Sequence, residues 1–77
     1  MPDMRSAKLL PHPVLDYVKN RYNIVSDRQL AILLGLTAPL VSKVRTRNRK
    51  TSDELLLRIH EVFEIPIVVL KQLRNNE

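Results

Sequence analysis

Cysteine and tryptophan are absent from this chain, and one glycine serves all 77 residues. The first absence excludes disulfides and thiolate zinc sites. A lone glycine excludes any glycine-rich phosphate loop. Aromatic residues make up only 4%. No apolar stretch approaches the ~20 residues of a membrane span. The N-terminal MPDMRSAKLLPHP has no long apolar run ahead of a small-residue cleavage site, so no secretory leader and a cytoplasmic location are expected. Chemistry-bearing residues are sparse as well. His12 and His60 are the only histidines, and no close acidic cluster accompanies them, so no metal is expected. His60 reads as a partly buried packing residue. Ser26, Ser42 and Ser52 have no histidine pattern beside them that would activate a nucleophile. The expectation is a protein that is not an enzyme and carries no cofactor.

What is present is one small domain's worth of chain, which buries only about 60% of the surface exposed when unfolded. Such a core must be economical and leaves no room for a deep substrate pocket, so no small-molecule ligand is expected. The net charge of +5 is unevenly spread. Residues 1–36 carry five basic and three acidic side chains, and residues 51–77 carry three basic and five acidic. Between them, Lys43, Arg45, Arg47, Arg49 and Lys50 stand in fourteen residues without an acid. Charge this segregated suits a polyanionic partner. The plainer alternative is a solvated face.

Apolar residues recur at helical spacing and single-residue alternation is absent, which predicts an all-α domain over residues 13–77. Residues 1–12 read as a flexible arm or as a short helix capped by Asp3. Five helices are expected, at about 13–23, 27–34, 38–46, 52–64 and 66–74. Pro13 suits a first turn, and Val14, Leu15, Val18 and Tyr22 share a face. Ser26 caps the second helix and Gly35 stops it. Thr37 caps the third, whose apolar side is Leu40, Val41 and Val44. Thr51 and Glu54 have capping-box spacing. In the last helix, Ile67, Val68, Val69 and Leu70 are consecutive and Leu73 follows. Four apolar neighbours cover more than one face of so short a helix. Either a second copy covers the remainder or the monomer buries most of it.

Residues 27–46, DRQLAILLGLTAPLVSKVRT, carry the most specific pattern. Leu30, Ala31, Leu34, Gly35, Leu36, Val41 and Val44 describe two short helices crossing around a tight turn. Ala31 is small where the helices cross, Gly35 makes the corner, and Leu36 plugs it. The outward side of the second helix is left to Ala38, Pro39, Ser42, Lys43 and Thr46. With the downstream TSDELLLRIHEVFEIPIVVL, this segment resembles the lambda-repressor-like, Cro/XRE-type helix-turn-helix regulators of phages and bacteria. The resemblance covers residues 13–73.

The resemblance implies sequence-specific binding of double-stranded DNA by a homodimer on a pseudo-palindromic operator, in a nucleoid-associated phage or mobile-element repressor. Ala38, Pro39, Ser42, Lys43 and Thr46 would face the bases, with Pro39 read as a helix starter ahead of a base contact. Arg28, Gln29, Thr37, Arg45, Arg47, Asn48, Arg49 and Lys50 would lie on the backbone. Ile67, Val68, Val69, Leu70 and Leu73 would form the dimer interface. Where the family commonly has an acid and then a glycine after the recognition helix, this chain has Arg45 and Arg47. The family's ion pair to the first helix is therefore absent or reversed here, as Arg45 with Asp16. Asp27 replaces the family's phosphate-supporting polar residue. The alternative to a homodimeric regulator is a DNA-binding antitoxin that holds a partner protein on its C-terminal apolar helix.

Overall fold

A computed structural model describes residues 11–46 and 50–76. Among them the chain is all-α, with five helices: α1 (Pro13–Arg21), α2 (Asp27–Leu34), α3 (Ala38–Arg45), α4 (Asp53–Phe63) and α5 (Ile67–Arg74). The arm or short helix expected before residue 11, and Asp3 as its cap, lie outside the described residues. Among the described residues no helix is long and apolar enough to cross a membrane.

Each helix is only 8–11 residues long, too short to persist alone, so caps and packing set its limits. Ser26 Oγ accepts the Gln29 N–H at 3.1 Å, and Thr37 Oγ1 accepts the Leu40 N–H at 3.3 Å. Caps of this kind stabilise a helix by about 1 kcal/mol. At α4 the expected cap is one residue out. Ser52, not Thr51, accepts the Leu55 N–H at 3.1 Å, because Thr51 is buried and turned toward α1. Helix α1 stops at Arg21, two residues earlier than expected, since Asn23 takes a left-handed conformation at φ 54°. Tyr22 therefore lies past the last turn rather than on the apolar face. Its ring stacks on Phe63, and its hydroxyl donates to the Phe63 carbonyl at 2.8 Å, tying the ends of α1 and α4. Pro66 caps α5 rather than opening it.

The core is aliphatic. Val14, Leu15 and Val18 from α1 meet Leu30, Ala31 and Leu34 from α2, Val41 and Val44 from α3, and Leu55, Leu56 and Ile59 from α4. Ile24, Ile65 and Leu70 complete it. Helix α2 packs on α3 and α4, while α5 closes over α1 and α4. His60 is half-buried, and its Nδ1 lies 2.8 Å from the Ile65 carbonyl, fastening the turn between α4 and α5.

Candidate nucleic-acid interface

The corner between α2 and α3 follows from three residues. Gly35 sits at φ +71°, a conformation that costs any residue with a Cβ roughly 1–2 kcal/mol. Its N–H and that of Leu36 turn back to Ile32 and Ala31 at 3.1 and 2.8 Å, satisfying carbonyls at the end of α2. Arg58 on α4 adds a third donor, from Nη1 to the Leu34 carbonyl at 3.1 Å. The same nitrogen would lie 3.1 Å from a Cβ placed at Gly35, so the guanidinium rests over the bare glycine. Leu36 then packs half-buried against the core and Thr37 opens α3.

Helix α3 is divided lengthwise. Val41, Val44 and Arg45 are 2%, 1% and 3% exposed. Ala38, Pro39, Ser42, Lys43 and Thr46 all face outward. The Thr46 hydroxyl lies within 3.1 and 3.3 Å of the Ser42 and Lys43 carbonyls. Its donor is spent on its own helix, and the exposed hydroxyl oxygen remains an acceptor. Ser42 and Lys43 are thus the exposed polar side chains of α3.

Arg45 does not belong with the residues expected to grip a backbone. Its Nε and Nη2 donate to Asp27 Oδ2 and Oδ1 at 2.6 and 2.9 Å, and Nη2 also lies 2.8 Å from Asp16 Oδ1. The side chain is therefore consumed inside the domain, where it bolts the end of α3 to α1 and to the start of α2. The ion pair to the first helix is present in the reversed sense. Burial alone would raise the pKa of Asp16 and of Asp27, but hydrogen bonds and charge from Arg45 outweigh it and hold both carboxyls below the usual range. Lys19 adds to this at Asp27, 3.0 Å away. Burial opposes the charged form of Arg45, yet its two carboxylate partners raise its pKa overall. Asp27 consequently presents a neutralised group to an approaching polyanion.

Around α3 the cations are unevenly disposed. Arg28 and Gln29 are exposed on the first turn of α2. Gln29 Oε1 accepts the Val25 N–H at 3.1 Å, so the amide turns its NH₂ donor outward. Thr37 is committed to its cap but remains exposed. Lys50 is exposed beside a shallow cleft lined by Leu36, Leu40, Leu55 and Arg58. Arg47, Asn48 and Arg49 lie outside the described residues.

The apolar C-terminal set is split by the fold. Leu70 is fully buried in its own domain and cannot serve a dimer interface, and Val69 and Leu73 pack half-buried against the core. Val68 is 61% exposed, and Ile67 lines an open groove with Leu57 and Lys71. Leu57, 48% exposed, is an apolar surface residue that the sequence reading missed. Among the described residues no three histidine, aspartate or glutamate side chains converge as a metal site would need.

Comparison of the chain with protein-family models, with curated proteins and with solved structures finds no match.

Proposed function

We propose that this chain is a sequence-specific duplex-DNA-binding regulator of the lambda-repressor-like, Cro/XRE-type helix-turn-helix kind, acting as a homodimer. One observation carries the reading. Helix α3 buries Val41, Val44 and Arg45 and turns Ala38, Pro39, Ser42 and Lys43 outward, beside the most basic window of the chain. A helix with an inner face so firmly held and an outer face so small and polar fits a major groove. Lys43 donates to guanine O6 and N7, Ser42 to several base edges, and Ala38 or Pro39 meets a thymine methyl. Arg28, Gln29, Thr37 and Lys50 hold phosphates, together with Arg47, Asn48 and Arg49. Two copies present two such helices about 34 Å apart on a pseudo-palindromic site.

The deciding experiment is selection of bound duplexes from a random library. Enrichment of a two-fold symmetric site with half-sites one helical turn apart is expected. Recovery of unenriched sequences would remove the sequence-specific part of the proposal, and recovery of nothing would remove DNA binding altogether.

A second reading draws on the exposed Leu57 and Val68 beside Ile67. This surface serves a different protein in a DNA-binding antitoxin. A stoichiometric second protein that co-purifies and covers Val68 would favour it, and a clean homodimer by light scattering would count against it.

A further inference from the structure

The first turn of α3 is almost bare of polar groups. Ala38 and Pro39 are both exposed, and neither side chain has a donor or an acceptor. Pro39 lacks a backbone N–H as well. The next two N–H groups are occupied: that of Leu40 by Thr37 Oγ1 at 3.3 Å, and that of Val41 by the Thr37 carbonyl at 3.3 Å. The Ala38 N–H points along the axis toward the helix start, where a phosphate and not a base edge meets it. What this turn offers sideways is therefore a methyl group and a pyrrolidine ring.

One turn further on, the surface changes character. Ser42 and Lys43 stand four residues after Ala38 and Pro39, and both are exposed. Side chains four apart on a helix lie about 6 Å from one another, close to two base-pair steps of about 3.4 Å. An apolar turn and a polar turn thus share one outer face.

In the major groove a pyrimidine is distinguished at C4 and at C5. The C4 oxygen of thymine accepts a hydrogen bond and the C4 amine of cytosine donates one, so telling them apart at C4 takes a polar partner. The first turn of α3 offers none sideways. A C5 methyl is apolar surface that Ala38 and Pro39 cover favourably. Thymine and 5-methylcytosine hold that methyl in the same place, and uracil and cytosine lack it.

We propose that Ala38 and Pro39 read a C5 methyl irrespective of the base that bears it, so that methylating a cytosine beneath them tightens binding as much as the thymine methyl does. Methyl reading rests on the DNA-binding reading above and adds a ligand class to it, duplex carrying 5-methylcytosine.

The test uses the full chain and a duplex selected from a random library, with anisotropy at fixed salt. The pyrimidine is sought within about two base pairs of the guanine that Lys43→Ala ceases to require. Four duplexes are compared at that position: thymine and uracil opposite adenine, and 5-methylcytosine and cytosine opposite guanine. Within each pair only the methyl differs. Its removal is expected to weaken binding about three- to fivefold in both pairs, the worth of about one buried methyl group. Ala38→Ser and Pro39→Ser are expected to bring both ratios toward one while the guanine preference remains. Ratios near one for the wild type would overturn methyl reading. So would a thymine effect without a cytosine effect, because a polar group would then be reading the base. Ratios unchanged in both variants would assign the methyl to another residue and overturn the roles of Ala38 and Pro39. The four-duplex comparison needs the wild type alone, so it decides even where a variant fails to fold. A library that enriches no sequence would sink the DNA-binding reading and methyl reading with it, whereas an enriched site indifferent to the methyl sinks only the latter.

Discussion

Arg45 and Asp27, eighteen residues apart, are joined by two parallel hydrogen bonds of 2.6 and 2.9 Å from guanidinium to carboxylate. The pair fixes the end of α3 to the start of α2, so the helix with the outward Ser42 and Lys43 is held at its far end by a fork and at its near end by the Gly35 corner. Removing one member leaves the other's charge partly desolvated. Arg45→Met is expected to cost about 2–4 kcal/mol of stability, and Arg45→Met with Asp27→Asn less than the sum of the two single changes. Urea denaturation of the four proteins checks this; strict additivity would show that the fork contributes nothing as a unit.

The same fork sets the acid limb of stability. Asp16 and Asp27 have folded pKa values below the ordinary carboxylate range, where burial's upward pull is outweighed by Arg45. Their contribution is complete above the ordinary value of about 4 and is lost as pH falls through the depressed folded values. Stability is expected to drop with falling pH below about 4, and Asp27→Asn to flatten that drop. Chemical denaturation between about pH 5 and pH 2 reads the slope.

Gly35→Ala separates backbone strain from crowding. The left-handed φ costs the new residue about 1–2 kcal/mol. The atom it approaches, Arg58 Nη1, is the end of a flexible side chain and moves aside. Arg58→Ala alone leaves the Leu34 carbonyl without that donor, a loss of about 1 kcal/mol. If Gly35→Ala costs nothing in a thermal melt, the corner does not depend on the left-handed residue.

Lys43→Ala is expected to relax discrimination at one operator position by about 1–3 kcal/mol, while Lys50→Ala weakens selected and random duplexes alike. Each phosphate contact adds about 0.9 to the slope of log K against log salt, so Lys50→Ala also lowers that slope by about one contact. Binding isotherms at several salt concentrations distinguish the two. Equal weakening of specific and random duplexes by Lys43→Ala would remove its base-reading role.

Val68 and Leu70 differ in consequence although they stand two residues apart. Val68→Asp places a charge on the exposed apolar surface and is expected to yield a folded monomer. Leu70→Asp buries an unpaired carboxylate in the core and unfolds the domain. Sedimentation equilibrium with circular dichroism reads both. A Val68→Asp protein that stays dimeric would place the interface elsewhere.

Much of this architecture was legible because helical spacing, caps and the lone glycine agree with one another. Ser26, Gly35, Thr37 and the Val41–Val44 pair all stand where the spacing puts them. The residues misjudged are those whose role depends on a distant partner. Arg45 looked like part of a cationic run, yet Val41, Val44 and Arg45 lie at helical spacing and share the inner face. That signal was present in the sequence, and so was the reversed pair with Asp16 on α1; the second acid, Asp27 on α2, is brought to Arg45 only by folding. His12 was passed over because histidine is an uncommon cap, though Pro13 after it marks the position. Thr51 and Ser52 are equivalent as caps by type, and packing against α1 selects between them.

The contact between Tyr22 and Phe63 also supplies a spectroscopic handle. With no tryptophan and two tyrosines, the chain's near-ultraviolet signal comes largely from Tyr17 and Tyr22. Tyr22 is stacked at 4.9 Å on the lone phenylalanine, with its phenol anchored to a carbonyl on α4. Intrinsic emission therefore reports whether the ends of α1 and α4 remain joined, with no dye and no engineered label.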